Sequence, residues 1–280
     1  MRVDFVCHDR GQIPTTCRGS VVMYLSAERL ALANQAVRDT FANSSIAWQT
    51  IPHWDTGDPG QLFVSDGILS PPGVVPLDFK DSKFVVTLAQ ANAPTPDALL
   101  TAVMAAATDL AKQVDGDVIP KLYGKATATP PLTGSINPKD LQPPLLEARI
   151  NVENAGYRAP SCLITNSPGL LKLNEFISGY VNIVEQLMQV ANVNALHRAS
   201  DVDPPDPKTR LILIGRRRRI PQGAATEASP GEEPVDLAVS LMPSVEVAGE
   251  TVNGAIELHA RIRYALRVTD VAGVASIKHA

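Results

Sequence analysis

The C-terminal part of the chain carries the pattern that most limits its fold. Over residues 256–269, apolar and polar residues alternate in the run IELHARIRYALRVT. Successive side chains of a β-strand point to opposite faces, so this pattern predicts one strand with a buried face and a solvent face. At about 3.3 Å per residue the strand is about 45 Å long, whereas typical strands have about five or six residues. Such a strand favours an elongated sheet over a compact pocket.

Prolines and glycines interrupt the rest of the chain in two places. The sequence has 23 prolines and 18 glycines, and many of them fall within 57–76 and 130–144. The first group predicts a long extended loop around a short strand at 62–65. The second group lies in a connector without hydrophobic period, and it predicts a domain boundary, because such linkers typically separate domains.

Two helices are predicted from their caps and their apolar spacing. Ser26 is the expected N-cap of a helix over 27–42, and Thr95, Pro96 and Asp97 begin a longer helix that ends near residue 119. In the longer helix, apolar residues recur at steps of three and four and form a narrow stripe. The remaining expected elements are shorter: strands at 83–89, 161–165 and 211–214, and helices at 145–155, 167–178 and 182–191.

Composition excludes several classes of protein. The chain is 45% apolar and 19% charged, which is enough apolar surface for a core and excludes intrinsic disorder. A net charge of −4 disfavours a dedicated DNA-binding protein, which carries a concentrated basic face. The three cysteines, Cys7, Cys17 and Cys162, give no disulfide framework and favour a reducing compartment. Neither a signal peptide nor a transmembrane helix is expected, because no apolar run is long enough.

No catalytic motif is present in the sequence. It lacks the Gly-x-Ser-x-Gly nucleophile elbow and both glycine-rich phosphate-binding patterns. Cys7, His8 and Cys17 do not complete the four ligands of a closed zinc site. His53 and Asp55 are interpreted as loop residues, because near neighbours in sequence rarely converge on one reacting atom. The sequence therefore predicts no enzyme, no cofactor and no metal.

Two groups of arginines are the sharpest charge features. The run 216–219 could contact phosphate groups, or it could end a strand and meet acidic residues such as those in 227–233; the second interpretation is favoured. The second group, Arg261, Arg263 and Arg267, lies on one face of the alternating strand. These arginines could face nucleic acid or pair with carboxylates on adjacent strands, and the sequence leaves both interpretations open. The candidate residues for a subunit interface or a nucleic-acid-facing surface are Arg216, Arg217, Arg218, Arg219, Arg261, Arg263 and Arg267.

The order of these elements resembles the Hong Kong 97 bacteriophage capsid fold, which tailed-phage major capsid proteins share with encapsulin nanocompartment shells. Three segments carry the resemblance more specifically. LAKQVD at 110–115, followed by Gly124, is similar to an encapsulin-type Leu-Ala-x-x-Glu-Asp stretch, with Val114 in place of the glutamate. Gly179 and Tyr180 are similar to a Gly-Tyr-Pro-Ile-like segment but lack its proline. The C-terminal pattern is similar to the closing strands of the family.

The resemblance implies an α+β chain with the Hong Kong 97-like capsid fold: an N-terminal arm, an extended loop, a peripheral domain with a spine helix and a long-stranded sheet, and an axial domain. It places the 62–76 segment as a loop that laps over a neighbouring subunit. It also places Gly179, Tyr180 and Val181 in a loop near the capsomer axis. The implied division is 1–45 for the arm and its helix, 46–82 for the extended loop region, 83–130 with 235–280 for the peripheral domain, and 131–234 for the axial domain.

The implied function is a self-assembling icosahedral shell. A tailed-phage major capsid protein that encloses the DNA genome is favoured, because the return strand RYALRV is more typical of phage capsids. An encapsulin-type shell around a cargo enzyme is the alternative, and a soluble bacterial enzyme with an unrecognised site is more remote. The expected partners are many copies of the chain itself in pentamers, with hexamers left open, together with packaged DNA, portal and decoration proteins, or a cargo enzyme, and no membrane. The expected location is the virion, assembled in the host cytoplasm, or else the bacterial cytoplasm.

Overall fold

The computed structural model describes residues 5–6, 16–17, 25–68, 70–134, 137–177, 181–182, 184–200, 208–220 and 230–279. Most of the expected N-terminal arm, Gly179, Tyr180 and Glu227 lie outside these residues. The α-helices are α1 (Ala27–Ser44), α2 (Ile46–Thr50), α3 (Leu88–Ala91), α4 (Asp97–Lys125), α5 (Gln142–Asn154), α6 (Ser167–Leu173) and α7 (Val184–Val190). Short 3-10 helices cover Pro138–Leu141 and Val271–Gly273.

The β-strands follow the same chain order. They are β1 (Phe5–Val6), β2 (Thr16–Cys17), β3 (His53–Asp55), β4 (Phe63–Ser65), β5 (Val74–Pro76), β6 (Asp78–Thr87), β7 (Thr127–Ala128), β8 (Ala159–Thr165), β9 (Phe176–Ile177), β10 (Val181–Asn182), β11 (Val193–Arg198), β12 (Arg210–Arg216), β13 (Val235–Glu250), β14 (Ala255–Val268) and β15 (Val274–Lys278).

The alternating run forms the long strand β14, as the sequence predicts. It lies in a four-stranded sheet of order β3-β13-β14-β6. β14 and β6 are antiparallel and stay in one register from Ala255 opposite Thr87 to Tyr264 opposite Asp78. β13 is also antiparallel to β14, but its register shifts three times, because β-bulges add residues on the β13 side. This explains why the 16 residues of β13 show no clean alternation in the sequence.

Helices α1 and α4 cover one face of the four-stranded sheet and form the largest core with it. Ser26 caps α1 as expected, because its hydroxyl accepts the Arg29 backbone N–H at 3.2 Å. Apolar residues of α4 such as Leu99, Leu110 and Leu122 are fully buried in this core. α4 runs past its predicted end to Lys125 although Pro120 lies inside it. Burial of residues on both sides of Pro120 holds the helix together there.

The second sheet has five strands in the order β11-β8-β12-β15-β7. One face packs against α5 and α7 in a second core that includes Leu145, Leu163 and Leu213. The opposite face, with Cys162 and Ile214, joins the core of α1 and α4. The two sheets are therefore linked through a continuous apolar cluster.

Two of the expected divisions, which stay predictions, do not follow the bounds of the strands. The boundary between 82 and 83 falls inside β6, because β6 begins at Asp78. The C-terminal strand β15 and the short strand β7 belong to the five-stranded sheet and not to the sheet of the long strands, because β15 pairs with β12 and β7. The boundary between 234 and 235 coincides with the start of β13.

Candidate assembly surface

The expected extended loop contains a two-stranded hairpin of β4 and β5. Phe63 pairs with Pro76, Val64 with Val75 and Ser65 with Val74. The hairpin lies on the face of the four-stranded sheet opposite the helices, where Val64 packs with Ala238 and Ala265. Because side chains alternate along a strand, the residues next to Val64 point away from this small core.

The outer face of the hairpin is apolar and open to solvent. Phe63 is 59% exposed and Val74 is 72% exposed, while Val64 between them in the hairpin is only 6% exposed. Leu62, directly before β4, and Ile68, in the tip of the hairpin, are also exposed apolar residues. A thin hairpin with apolar side chains on both faces needs a second layer to cover the outer one, and contiguous exposed apolar surface of this kind marks interaction sites.

Hydrogen bonds inside the hairpin fix the shape of its tip. Asp66 Oδ1 accepts the backbone N–H groups of Ile68 at 3.0 Å and of Gly73 at 3.1 Å. Gly67 adopts a φ of +79°, and a Cβ at this position would lie 2.7 Å from the methyl carbon of Thr269. The tip therefore rests directly on the end of β14, and glycine is required there by both the backbone angle and the close contact.

Two arginines of β14 tie the root of the hairpin to the sheet. Arg263 donates to the Pro59 carbonyl, and Arg267 donates to the Ser65 carbonyl, both at 2.9 Å. Arg267 also forms a two-pronged ion pair with Asp236 on β13, and Asp236 accepts the Trp54 indole N–H at 3.1 Å. Side chains from β3, β13 and β14 thus hold the hairpin through one buried polar cluster.

Burial corrects the expectation for Arg267 as a residue that faces nucleic acid or a neighbouring subunit. Arg267 is 4% exposed and Asp236 is 1% exposed, so both are enclosed within the subunit. Arg261 pairs with Glu246, which also lies on the adjacent strand β13. For these two arginines, the sequence alternative of pairing with carboxylates on neighbouring strands is confirmed. Arg263 instead binds a carbonyl and stacks on the Phe79 ring at 5.5 Å.

The arginine run at the end of β12 divides into buried and exposed members. Arg216 is 2% exposed, which also corrects its placement on an outward-facing surface. Arg218 forms an ion pair with Glu232 at 3.1 Å, and the backbone N–H groups of Arg217 and Arg218 donate to Glu233. The predicted meeting of this run with an acidic segment is therefore confirmed for Glu232 and Glu233.

Glu233 lies at a joint between the two sheets. It is 2% exposed, and burial raises the pKa of its carboxyl, although the Arg217 and Arg218 backbone N–H groups act in the opposite direction. Beside it, the Arg217 guanidinium lies 4.7 Å from the centre of the Tyr157 ring, whose hydroxyl donates to Asp270 at 2.8 Å. Arg217 and Arg219 keep exposed side chains and remain candidates for contacts outside the subunit.

Asp115 is a second buried carboxylate, and the sequence motifs give it no role. Asp115 on α4 accepts the Ser45 hydroxyl at 2.7 Å and the backbone N–H groups of Ile46 and Ala47. It therefore caps the first turn of α2 and fixes the chain where it leaves α1 for β3. A buried aspartate in an otherwise apolar helical stripe was the only signal available for this role.

The expected capsomer-axis residues are described only in part. Val181 begins the short strand β10, which pairs with β9, while Gly179 and Tyr180 lie outside the described residues. In the described part of the chain, no cluster of three or more potential metal ligands occurs. Over the same residues, no helix has the length and apolar character needed to cross a bilayer.

No protein-family model and no curated protein matches the sequence. Solved structures do match it over most of its length. A virus-like particle from Pyrococcus furiosus has a TM-score of 0.65 at 15% identity, covering 91% of this chain and 100% of that one. The capsid of an empty gene transfer agent particle has a TM-score of 0.54 at 12% identity, covering 85% and 97%. The chain has the Hong Kong 97-like capsid fold.

The capsid fold is shared by an encapsulin as well. The holo-SrpI encapsulin complex from Synechococcus elongatus PCC 7942 has a TM-score of 0.52 at 12% identity, covering 83% of this chain and 85% of that one. The three solved structures are a virus-like particle, a gene transfer agent capsid and an encapsulin complex. At these identities the likeness establishes the capsid fold, which the order of sequence elements predicts.

Proposed function

We propose that this chain is the self-assembling subunit of an icosahedral shell, most simply the major capsid protein of a tailed bacteriophage that encloses DNA. The observation that carries the proposal is the outer face of the β4–β5 hairpin. Phe63 and Val74 are exposed there, although the hairpin is rigidly held by Arg263 and Arg267. A second copy that covers this face would bury the apolar surface that one subunit leaves in water.

The two sheets correspond to two domains of the proposed subunit. The four-stranded sheet with α1 and α4 is the peripheral domain, and the five-stranded sheet with α5 and α7 is the axial domain around a capsomer axis. The exposed Arg217 and Arg219 at the end of β12 are assigned to contacts with other copies or with packaged DNA. The proposed shell forms from pentamers, with hexamers left open, takes no cofactor and needs no catalytic residue.

An encapsulin-type nanocompartment is the second candidate function. The specific observation in its favour is the structural likeness to the encapsulin complex over most of both chains. The two functions differ in what the shell contains: packaged DNA with portal and decoration proteins in a virion, or a cargo enzyme in a compartment within the bacterial cytoplasm.

The experiment is sedimentation with negative-stain microscopy of the purified chain. Closed particles are expected from the parent protein. Val74→Asp places a charge on the outer hairpin face and should leave free subunits. Val252→Asp is the matched control, since Val252 is an exposed valine in the turn between β13 and β14.

A small monodisperse species from the parent under all conditions would contradict the shell proposal. Particles from Val74→Asp in the same yield as from Val252→Asp would remove the hairpin from the interface. The contents of purified particles, analysed for nucleic acid and for co-purifying protein, decide between the two kinds of shell.

A further inference from the structure

Arg216 places a cation inside the protein where the two sheets meet. Its Nη2 donates to the Thr50 carbonyl at 2.7 Å. Thr50 ends α2, which leads into β3 of the four-stranded sheet, whereas Arg216 ends β12 of the five-stranded sheet. This hydrogen bond therefore crosses between the two halves of the subunit.

The buried guanidinium is only partly satisfied. Among the described residues, nothing accepts a hydrogen bond from Arg216 Nε or Nη1, although both atoms are buried. A buried cation normally needs a paired anion and a full set of acceptors, because water no longer solvates it. In the described part of the chain, Arg216 has the Thr50 carbonyl and the weakly accepting Cys162 sulfur in place of that set.

The groups that face Arg216 do not neutralise it by direct contact. The carboxylate of Glu233 interacts electrostatically with the Arg216 guanidinium. The Glu233 oxygens, however, accept hydrogen bonds from the backbone N–H groups of Arg217 at 3.0 Å and Arg218 at 3.3 Å. Cys162 is fully buried, and burial raises the pKa of its thiol although the charge of Arg216 and a hydrogen bond from Arg216 act in the opposite direction, so Arg216 faces a neutral thiol there. Burial, followed by the charge of Arg216, lowers the pKa of His197, so its imidazole is neutral as well.

We propose that Arg216 makes the joint between the two sheets metastable, so that the joint opens without unfolding of the whole subunit. Burial of apolar residues favours the closed joint. Removal of water from the Arg216 guanidinium favours the open joint. Opening restores solvent to the guanidinium and breaks its bond to Thr50. In a shell subunit, which is the part that rests on the proposed function, this opening lets the two sheets reorient during assembly.

Cys162 provides a direct probe of the opening. It lies on β8 directly opposite Ile214 of β12, and it is alkylated only when the joint opens, because its side chain is fully buried. The measurement is the rate of iodoacetamide labelling of unassembled subunits in a Cys7→Ser, Cys17→Ser background. Unassembled subunits are used so that the result does not depend on whether the chain forms shells.

Arg216→Met replaces the buried cation by an apolar side chain of similar length. Labelling of Cys162 is expected to slow by about tenfold, with a higher melting temperature, because the closed joint loses its unsatisfied charge. Arg219→Met is the matched control on an exposed side chain of the same run, and it should leave the rate unchanged. Labelling of Arg216→Met at the parent rate or faster would overturn the proposal.

A second pair of variants keeps the test decisive if Arg216→Met does not fold. Glu233→Gln removes a negative charge that acts on Arg216 and should speed Cys162 labelling, since the buried cation then loses this compensating charge. Glu232→Gln removes a neighbouring, half-exposed carboxylate and should have little effect. Equal labelling rates in the two glutamine variants would also refute the metastable joint.

Discussion

Tyr264 on the long strand β14 donates its phenolic hydrogen to Asp117 on helix α4, with 2.9 Å between the oxygens. Tyr264 is 1% exposed, and burial, followed by the charge of Asp117, raises the pKa of its hydroxyl. Burial acts to raise the pKa of Asp117, but hydrogen bonds from Lys121 and Tyr264 outweigh it and hold that pKa below its usual value. The carboxylate thus stays charged and fixes the helix against the sheet.

Tyr264→Phe should lower the free energy of unfolding by about 2 kcal/mol, because it removes a buried hydrogen bond to a charged acceptor and keeps the ring. Chemical denaturation at pH 7 measures the change. Thr108→Val is the control, since its hydroxyl bonds a carbonyl of its own helix near the surface. Equal stability of parent and Tyr264→Phe would mean that the Asp117 contact contributes nothing.

Asp236→Asn should release the β4–β5 hairpin and cost about 3–5 kcal/mol of stability, because it leaves Arg267 as a buried, unpaired charge. The double variant Asp236→Leu, Arg267→Met should regain part of that loss. Hydrogen exchange of residues 62–76 reports the hairpin, and denaturation reports the stability. Arg261→Met is the control, because its pair with Glu246 is partly exposed and such pairs contribute about 0–1 kcal/mol. A double variant less stable than Asp236→Asn would contradict this account.

His53 should make stability fall on acidification. It stacks on Trp48 with 3.7 Å between ring centres, and burial lowers its pKa to about 4. In the unfolded chain the pKa of a histidine is near 6.5, so between pH 6.5 and pH 4 the unfolded chain binds a proton that the folded protein excludes. The stability contributed by the neutral histidine is therefore fully present above pH 6.5 and is lost as the pH falls towards 4. The loss from pH 7 to pH 4 is about 3 kcal/mol for such a shift.

His53→Phe keeps a flat ring against Trp48 and should flatten the stability curve between pH 7 and pH 4. Denaturant titrations at several pH values measure the slope. His279→Gln serves as the control, because it removes a histidine near the chain end without touching this stack. An unchanged slope in His53→Phe would show that His53 does not titrate in this range.

The sequence predicts the elements with one clear period and misses those whose pattern is mixed. β14 is foreseen because its residues alternate between buried and partly exposed, in one register with β6, from Ala255 to Tyr264. β13 is harder to foresee because bulges, such as the one between Val239 and Leu241, shift the faces along it. The apolar stripe predicts that α4 ends near residue 119, yet packing on both sides of Pro120 carries the helix to Lys125.

The polar contacts of the candidate surface are less accessible to sequence reasoning. Arg267 and Asp236 lie 31 residues apart, and only the register of β13 and β14 brings them opposite each other. The spacing of the arginines predicts a stripe, but it does not distinguish a buried member from an exposed one. Arg216 likewise continues into an exposed run in the sequence, although its own side chain points into the protein.

The register of the long sheet restricts how such a subunit can change size. β14 and β6 match residue for residue, so a single insertion in either would turn every later side chain to the wrong face. Paired insertions of two residues would preserve the faces and extend the sheet by about 7 Å. β13 has taken up single residues at its bulges. During evolution, β14 and β6 can therefore lengthen only by even numbers of residues. Of these three strands, only β13 tolerates the insertion of a single residue.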